Sequence, residues 1–76
     1  MQAAAAGSFK GANLTGANLS MTDLARANFE YADLSNANLR NATLIKTNFT
    51  FADLRTADLT DAEFGMTIMP NGDIRP

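Results

Sequence analysis

The sequence predicts an all-β solenoid, in which the chain coils repeatedly in one direction around a narrow apolar interior. Every fifth residue from Phe9 to Phe64 is Leu or Phe, and the residue two positions earlier is nearly always Ala. The 76-residue chain also lacks Cys and His, so neither a disulfide framework nor a thiolate or imidazole metal site is available to order it. A chain of this length has room for one small domain at most.

The repeating unit is Ala-(Asn/Asp)-Leu-x-x, and twelve units follow one another without a gap over residues 7–66. All eight Leu and four of the five Phe occupy the large apolar position, and only Phe51 lies outside it. Asn or Asp precedes the large residue in nine of the twelve units. The residues at the large position are Phe9, Leu14, Leu19, Leu24, Phe29, Leu34, Leu39, Leu44, Phe49, Leu54, Leu59 and Phe64.

A period of five fits neither of the regular elements. On an α-helix, a step of five residues scatters the Leu side chains around the axis, and on a straight strand an odd step alternates their faces. All of them share one axis only if the chain bends once in each unit. Small Ala beside large Leu suits a filled interior, and Asn or Asp, which bonds to nearby backbone, suits the outward position between them.

This pattern resembles the pentapeptide repeat family over 60 of the 76 residues. The resemblance implies a right-handed quadrilateral β-helix with four units per coil. Twelve units then make about three coils, over residues 7–26, 27–46 and 47–66. Phe residues spaced by twenty agree with this arrangement, because Phe9, Phe29 and Phe49 would stack in one interior column.

The two ends of the chain lie outside the repeats. Residues 67–76 are expected to form a C-terminal capping tail, since Asn71-Gly72 is a strong turn signal. In this tail we expect Met69 to lie beneath the Phe column and Ile74 to cover the end of the last coil. Residues 1–6 are expected to be an N-terminal extension or a marginal cap, and the chain to be either complete or part of a longer protein.

Tyr31 and Phe51 are the candidate partner-binding residues. They are twenty apart, so we expect them to stack on an outer corner. Such a pair stabilises a sheet by about 0.2–1 kcal/mol, and a partly exposed aromatic corner is also a usual anchor for a protein partner. Asp33 and Asp53 should also be neighbours. A close pair of carboxylates could serve a glycosidase or hold a divalent cation. A filled, convex coil offers them no cleft, so we interpret this pair as structural.

The charged residues exclude several classes of function. The formal net charge is −2, with six basic and eight acidic side chains, and this predicts no nucleic-acid binding. Lys10 and Glu30 are expected to form an exposed ion pair, and Arg26 and Lys46 a small solvated basic strip. No apolar run approaches the roughly 20 residues that span a bilayer, and no signal peptide is predicted. We therefore expect no membrane contact and, by default, a cytoplasmic location.

The predicted function is that of a non-catalytic structural or protein-interaction module. We expect no catalytic residue, no metal and no cofactor, and either a monomer or a weak end-to-end homo-oligomer that binds a protein partner. The resemblance also implies an alternative, because some members of the family look like B-form DNA and bind DNA gyrase. A charge of only −2 and a stack only about 15 Å tall count against it. The family is especially common in cyanobacteria and other bacteria.

Overall fold

The backbone returns to the same place after every twenty residues. In the computed structural model, which describes residues 7–76, parallel bridges join positions that are twenty apart. Four five-residue units therefore make one turn of the chain, and the turns have four sides. Residues 1–6, expected above to be an extension or a marginal cap, lie outside the described part of the chain.

Each side of the coil, here called a face, is identified by the outward residues that bridge one another. Face 1 carries Ser8, Asn28, Asn48 and Ile68; face 2 carries Asn13, Asp33 and Asp53; face 3 carries Asn18, Asn38 and Asp58; face 4 carries Asp23, Thr43 and Glu63. The turns are held together by backbone hydrogen bonds. The N–H of Phe29 donates to the carbonyl of Asn48 at 2.8 Å, and the N–H of Asn48 donates back to the carbonyl of Ala27 at 3.0 Å.

The bend between faces is a β-turn at the end of each unit. At one such corner, the carbonyl of Leu34 accepts the N–H of Ala37 at 3.0 Å, and Asn36 has a φ of 60°. A left-handed φ at this position is the signature of a type II turn. Eleven unit-final residues share it: Gly11, Gly16, Met21, Arg26, Tyr31, Asn36, Asn41, Lys46, Phe51, Asp61 and Met66.

The Asn and Asp residues before each large residue brace these corners. In all nine cases, the side-chain Oδ1 accepts the backbone N–H of the residue two positions later, at 2.9–3.2 Å. Such local bonds are a known preference of short polar side chains. The prediction that these residues bond to nearby backbone is confirmed.

The interior is filled by the repeated Leu and Phe. The side chains of Phe29, Leu34, Leu39, Leu44 and Phe49 are fully buried. The predicted Phe column is present: the ring centroids of Phe9 and Phe29 lie 4.8 Å apart, and those of Phe29 and Phe49 lie 5.2 Å apart.

Thr22, Thr47 and Thr67 occupy the Ala position of the interior, and the hydroxyl of each donates to a backbone carbonyl. The hydroxyl of Thr47 donates to the carbonyl of Leu24 at 2.8 Å, and that of Thr67 donates to the carbonyl of Leu44 at 2.6 Å. Thr47 and Thr67 are completely buried. A hydroxyl with a backbone acceptor is tolerated there because burial then costs no hydrogen bond.

The two regular strands lie after the last repeat. Strand β1 (Thr67–Ile68) pairs antiparallel with β2 (Ile74–Arg75), and the chain reverses between them through Gly72, whose φ is 89°. The predicted turn at Asn71-Gly72 is thus confirmed. The carbonyls of Ile68 and Pro70 also accept the N–H groups of Phe49 and Phe51, which extends the ladder on face 1.

The expectation that Ile74 covers the end of the coil is wrong. Its side chain remains 50% exposed. The guanidinium carbon of Arg75 lies instead 3.7 Å from the centre of the Phe64 ring. Successive side chains of a strand point to opposite faces, so the pairing of Ile68 with Ile74 turns Arg75, rather than Ile74, toward that ring.

Thr56 departs from the other corners. Thr56 is the last residue of a unit, but unlike the other described unit-final residues it does not have a left-handed φ. A β-branched side chain disfavours that conformation. The N–H of Asn36 therefore donates at 2.8 Å to the hydroxyl oxygen of Thr56. At the neighbouring corner, the N–H of Asn41 donates to a backbone carbonyl, that of Thr60, at 3.0 Å.

We predict that Leu39→Asp abolishes folding, because the interior offers no partner for a carboxylate at this fully buried position. Leu39→Met, which keeps the apolar volume, is the matched control and should cost less than about 1.5 kcal/mol. Circular dichroism and thermal unfolding check both. A Leu39→Asp protein with native dichroism and cooperative unfolding would contradict the assignment of Leu39 to the interior.

We also predict that Thr56→Val lowers the free energy of unfolding by about 1 kcal/mol, since the N–H of Asn36 loses its acceptor while the β-branched shape is kept. Thr56→Ser retains the hydroxyl and should lose less. Urea unfolding of the three proteins measures the difference. Equal midpoints for Val and Thr would show that the hydroxyl contributes nothing.

Candidate protein-interaction surface

Tyr31 and Phe51 form a stacked aromatic pair on one outer corner. Their ring centroids lie 5.3 Å apart with an angle of 25° between the planes, so the predicted stacking is confirmed. The side chains nevertheless remain 58% and 66% exposed. Both residues have the left-handed φ of the corners, and Phe51 is fixed further by the bond from its N–H to the carbonyl of Pro70 at 3.0 Å.

Among residues 7–76, no side chain at the same corner covers the Tyr31 ring on the side away from Phe51. The residue at the same corner one turn earlier is Gly11, which carries no side chain, and the space its Cβ would occupy has no atom within 4 Å. The aromatic pair is therefore an exposed apolar surface on a backbone that is hydrogen-bonded to the adjacent turns. Exposed aromatic groups held in this way are a common form of protein-binding anchor.

The remaining exposed apolar residues are more dispersed. Met21, Ile45, Met66 and Ile74 are each between 39% and 65% exposed. The side chain of Ile45 lies over Gly65 on the next turn, where a Cβ added to the glycine would be 3.4 Å from the Cγ1 atom of Ile45. Within residues 7–76, Tyr31 and Phe51 make the only stacked pair of exposed aromatic rings.

Asp33 and Asp53 are bridge partners on face 2, as predicted. The hydroxyl of Ser35 donates to Asp33 at 2.5 Å and to Asp53 at 3.3 Å. The guanidinium of Arg55 donates to both oxygens of Asp53, at 3.0 and 2.9 Å. The pair is thus enclosed by donors from its own face.

These donors stabilise the charged form of both carboxyl groups. The hydroxyl and the backbone N–H of Ser35 lower the pKa of Asp33, and the hydrogen bonds from Arg55 lower the pKa of Asp53. A general acid in glycoside hydrolysis needs a raised pKa, so this geometry suits a structural pair better than an acid catalyst. The described residues also contain no group of three or more carboxylates that could hold a metal ion.

The ion pairs are not the ones that the sequence predicted. Within the described part of the chain, Arg40 pairs with Asp58 at 3.3 Å and Arg55 with Asp53 at 2.9 Å. The expected pair of Lys10 and Glu30 is not formed, although these residues are neighbours on successive turns. An exposed ion pair gains little over solvation, so neighbouring positions alone do not bring its charges together.

Side chains fill the interior of the described coil. Residues 7–76 enclose no pocket, which agrees with the buried columns of Phe and Leu. No helix in the same range combines the length and the hydropathy that crossing a bilayer requires.

The repeats match the family model described as pentapeptide repeats, in eight copies over residues 8–30 and 22–61, which together cover more than half of the chain. The chain belongs to the pentapeptide repeat family. The family fold is a right-handed quadrilateral β-helix, and the bridges twenty residues apart agree with its four units per turn.

Two solved structures of pentapeptide repeat proteins are similar. Rfr23 from the cyanobacterium Cyanothece 51142 is 31% identical with a TM-score of 0.80, over 82% of this chain and 42% of that protein. HetL from the cyanobacterium Nostoc sp. strain PCC 7120, involved in heterocyst differentiation regulation, is 28% identical with a TM-score of 0.48, over 96% of this chain and 43% of HetL. The chain thus spans less than half the length of either. No curated protein sequence matches it.

We predict that acid weakens the fold through Asp33 and Asp58, whose pKa values are lowered mainly by hydrogen bonds from Ser35 and Thr60. A carboxyl group with a lowered folded-state pKa contributes stability above its ordinary pKa near 3.8 and loses it as the pH falls through the lowered value. The urea midpoint of the native protein should therefore drop between about pH 5 and pH 2.

Asp33→Asn/Asp58→Asn provides the control for this prediction. Asn keeps the Oδ1 acceptor, as Asn38 does at the equivalent place on face 3. On acidification, the urea midpoint of this variant should fall less than the urea midpoint of the native protein. The same fall in both proteins would exclude these two carboxyl groups as its source.

Proposed function

We propose that this member of the pentapeptide repeat family is a non-catalytic module that works as a structural element and binds a protein partner through Tyr31 and Phe51. The observation that carries the proposal is the stacked pair, which exposes more than half of each side chain on a corner fixed by backbone bonds. A protein interface typically depends on a few such aromatic anchors.

The architecture supports binding over a surface rather than in a pocket. Solenoid proteins commonly present extended faces to their partners. In this proposal the β-helix has three coils, over residues 7–26, 27–46 and 47–66, and residues 67–76 cap the last one. The antiparallel return of β2 (Ile74–Arg75) and the contact of Arg75 with Phe64 support the capping role.

The absence of catalysis is part of the proposal. The carboxylate pair of Asp33 and Asp53 has lowered pKa values, which favours permanently charged structural groups over a proton donor. With a filled interior beneath them, these residues have no enclosed site from which water would be excluded during a reaction.

The alternative of a DNA mimic that binds DNA gyrase has less support. A mimic of DNA needs a strongly anionic surface, whereas this chain has a net charge of −2. Of its acidic side chains, Asp53 and Asp58 are already paired with Arg55 and Arg40. Inhibition of gyrase by the purified protein would favour this alternative over the proposal.

The test is a pull-down from a lysate of the source organism, with the bound proteins identified by mass spectrometry. We expect a stoichiometric partner on the native chain and its loss from Tyr31→Ser/Phe51→Ser. The matched control is Met21→Ser, which removes an equally exposed apolar side chain from another corner and should retain the partner. Circular dichroism verifies that each variant is folded.

The pair itself should contribute only about 0.2–1 kcal/mol of stability, so the double variant is expected to remain folded. A partner that binds the native chain and the folded double variant equally would remove Tyr31 and Phe51 from the binding site. If the native chain retains no specific protein, the interaction role fails and only the structural role is left.

A further inference from the structure

Face 1 differs from the other three faces in its charge. Its outward bridging residues are Ser8, Asn28, Asn48 and Ile68, and none is acidic. Each of the other faces carries at least one carboxylate in the equivalent row. The row of face 1 is also the one that ends in an apolar residue, the half-buried Ile68.

The two corners that border face 1 add positive charge. One corner holds Arg26 and Lys46, and the other holds Lys10 and Glu30 next to the aromatic pair. Within the repeats, these three cations and one carboxylate give face 1 and its corners a formal charge of +2. The tail strand that pairs with β1 at the end of face 1 adds Asp73 and Arg75, whose charges cancel. The other faces and corners carry two cations and six carboxylates, which give −4. Face 1 and its corners are therefore positively charged, whereas the rest of the surface is negatively charged.

The cations of the two sides also differ in their partners. Arg40 and Arg55, which lie away from face 1, are held in ion pairs with Asp58 and Asp53. Lys10, Arg26 and Lys46 are exposed and make no ion pair with the described residues. Unpaired cations leave a positive potential that attracts an oppositely charged group.

Apolar side chains lie on both borders of the same face. Tyr31 and Phe51 occupy one corner, and Met66, which is 59% exposed, occupies the other. Positive charge and aromatic anchors together match the usual composition of a protein interface, in which apolar groups supply affinity and charges supply orientation and selectivity.

We propose that face 1, with its two bordering corners, docks an acidic segment of a partner protein that also carries an aromatic or aliphatic anchor. This inference rests on the proposed function and adds to it the chemistry of the partner. The anchor packs against Tyr31 and Phe51, and the carboxylates of the segment lie opposite Arg26 and Lys46.

Two other occupants fit the observations less well. Three cations beside a carboxylate are few for a nucleic acid, whose phosphates normally meet a larger cluster of basic residues. In a second copy of this chain, the complementary acidic residues lie on the other faces. Such a contact would be heterologous and would not close into a dimer.

The probe is a phage-displayed library of short random peptides presented to the immobilised full chain. We expect the enriched peptides to be rich in Asp and Glu and to contain Leu, Phe or Trp. The affinity of the synthesised peptides, measured by fluorescence anisotropy, should fall about tenfold in Arg26→Gln/Lys46→Gln and should weaken with added salt.

The matched control is Arg40→Gln/Arg55→Gln, which removes the same amount of charge from the other side of the molecule. It should change the affinity by less than about twofold, because those cations lie outside the proposed site. Circular dichroism establishes that both double variants are folded, as expected from the small contribution of exposed ion pairs.

The outcomes separate this inference from the proposed function. One outcome would overturn the acidic-segment inference and leave the interaction module intact. In it, the enriched peptides are neutral or basic, they fail to bind Tyr31→Ser/Phe51→Ser, and they bind Arg26→Gln/Lys46→Gln with unchanged affinity. If the native chain enriches no peptide, the acidic-segment inference fails, and the interaction module is decided by the pull-down alone. The inference would also be overturned if a labelled single-stranded oligonucleotide bound the chain more tightly than the enriched peptides do. Self-association in sedimentation velocity that Arg26→Gln/Lys46→Gln abolishes would overturn it as well.

Discussion

The parallel backbone ladder between successive turns is the interaction on which the rest of this structure depends. It holds residues twenty apart in register, so each large residue meets the large residue of the next turn, and Phe9, Phe29 and Phe49 stack. A shift by one residue would bring polar side chains into the interior. A shift by a whole unit would keep Leu against Leu, so the five-residue pattern alone does not choose four units per turn. That choice belongs to the corners, which bend the chain by a similar amount after each unit.

The corners have a conformational cost that the surrounding bonds offset. Nine residues other than Gly adopt a left-handed φ, which is unfavourable for L-residues by roughly 1–2 kcal/mol each. At most corners the strain is balanced by a bond to the adjacent turn and by an Asn or Asp side chain that holds the preceding backbone N–H. Thr56 shows the limit of this balance. Its β-branched side chain is not found in the left-handed region, and its hydroxyl takes the place of a carbonyl as the acceptor for Asn36.

This construction directs function to the outer surface. The Leu and Phe side chains of the interior columns pack against one another. The residue types in the outward row of each face can differ without disturbing that packing. Face 1 uses this freedom differently from the others, since it combines the aromatic pair of Tyr31 and Phe51 with Arg26 and Lys46 and has no acidic residue in its central row. A regular scaffold with one chemically distinct face is the physical basis of both proposals.

The sequence by itself determined the repeating unit, the buried Leu and Phe, the Asn and Asp bonds and the stacking of Tyr31 on Phe51, because each follows from a period that the chain repeats many times. It also determined the turn at Asn71-Gly72, where the local preference is strong. The tertiary structure alone decided that Arg75, rather than Ile74, lies over Phe64, and that Arg40 and Arg55 form ion pairs while Lys10 and Glu30 do not. These contacts lie at the chain end or at the tips of long side chains. There, the result depends on strand pairing and on the reach of individual side chains, which a repeat does not encode.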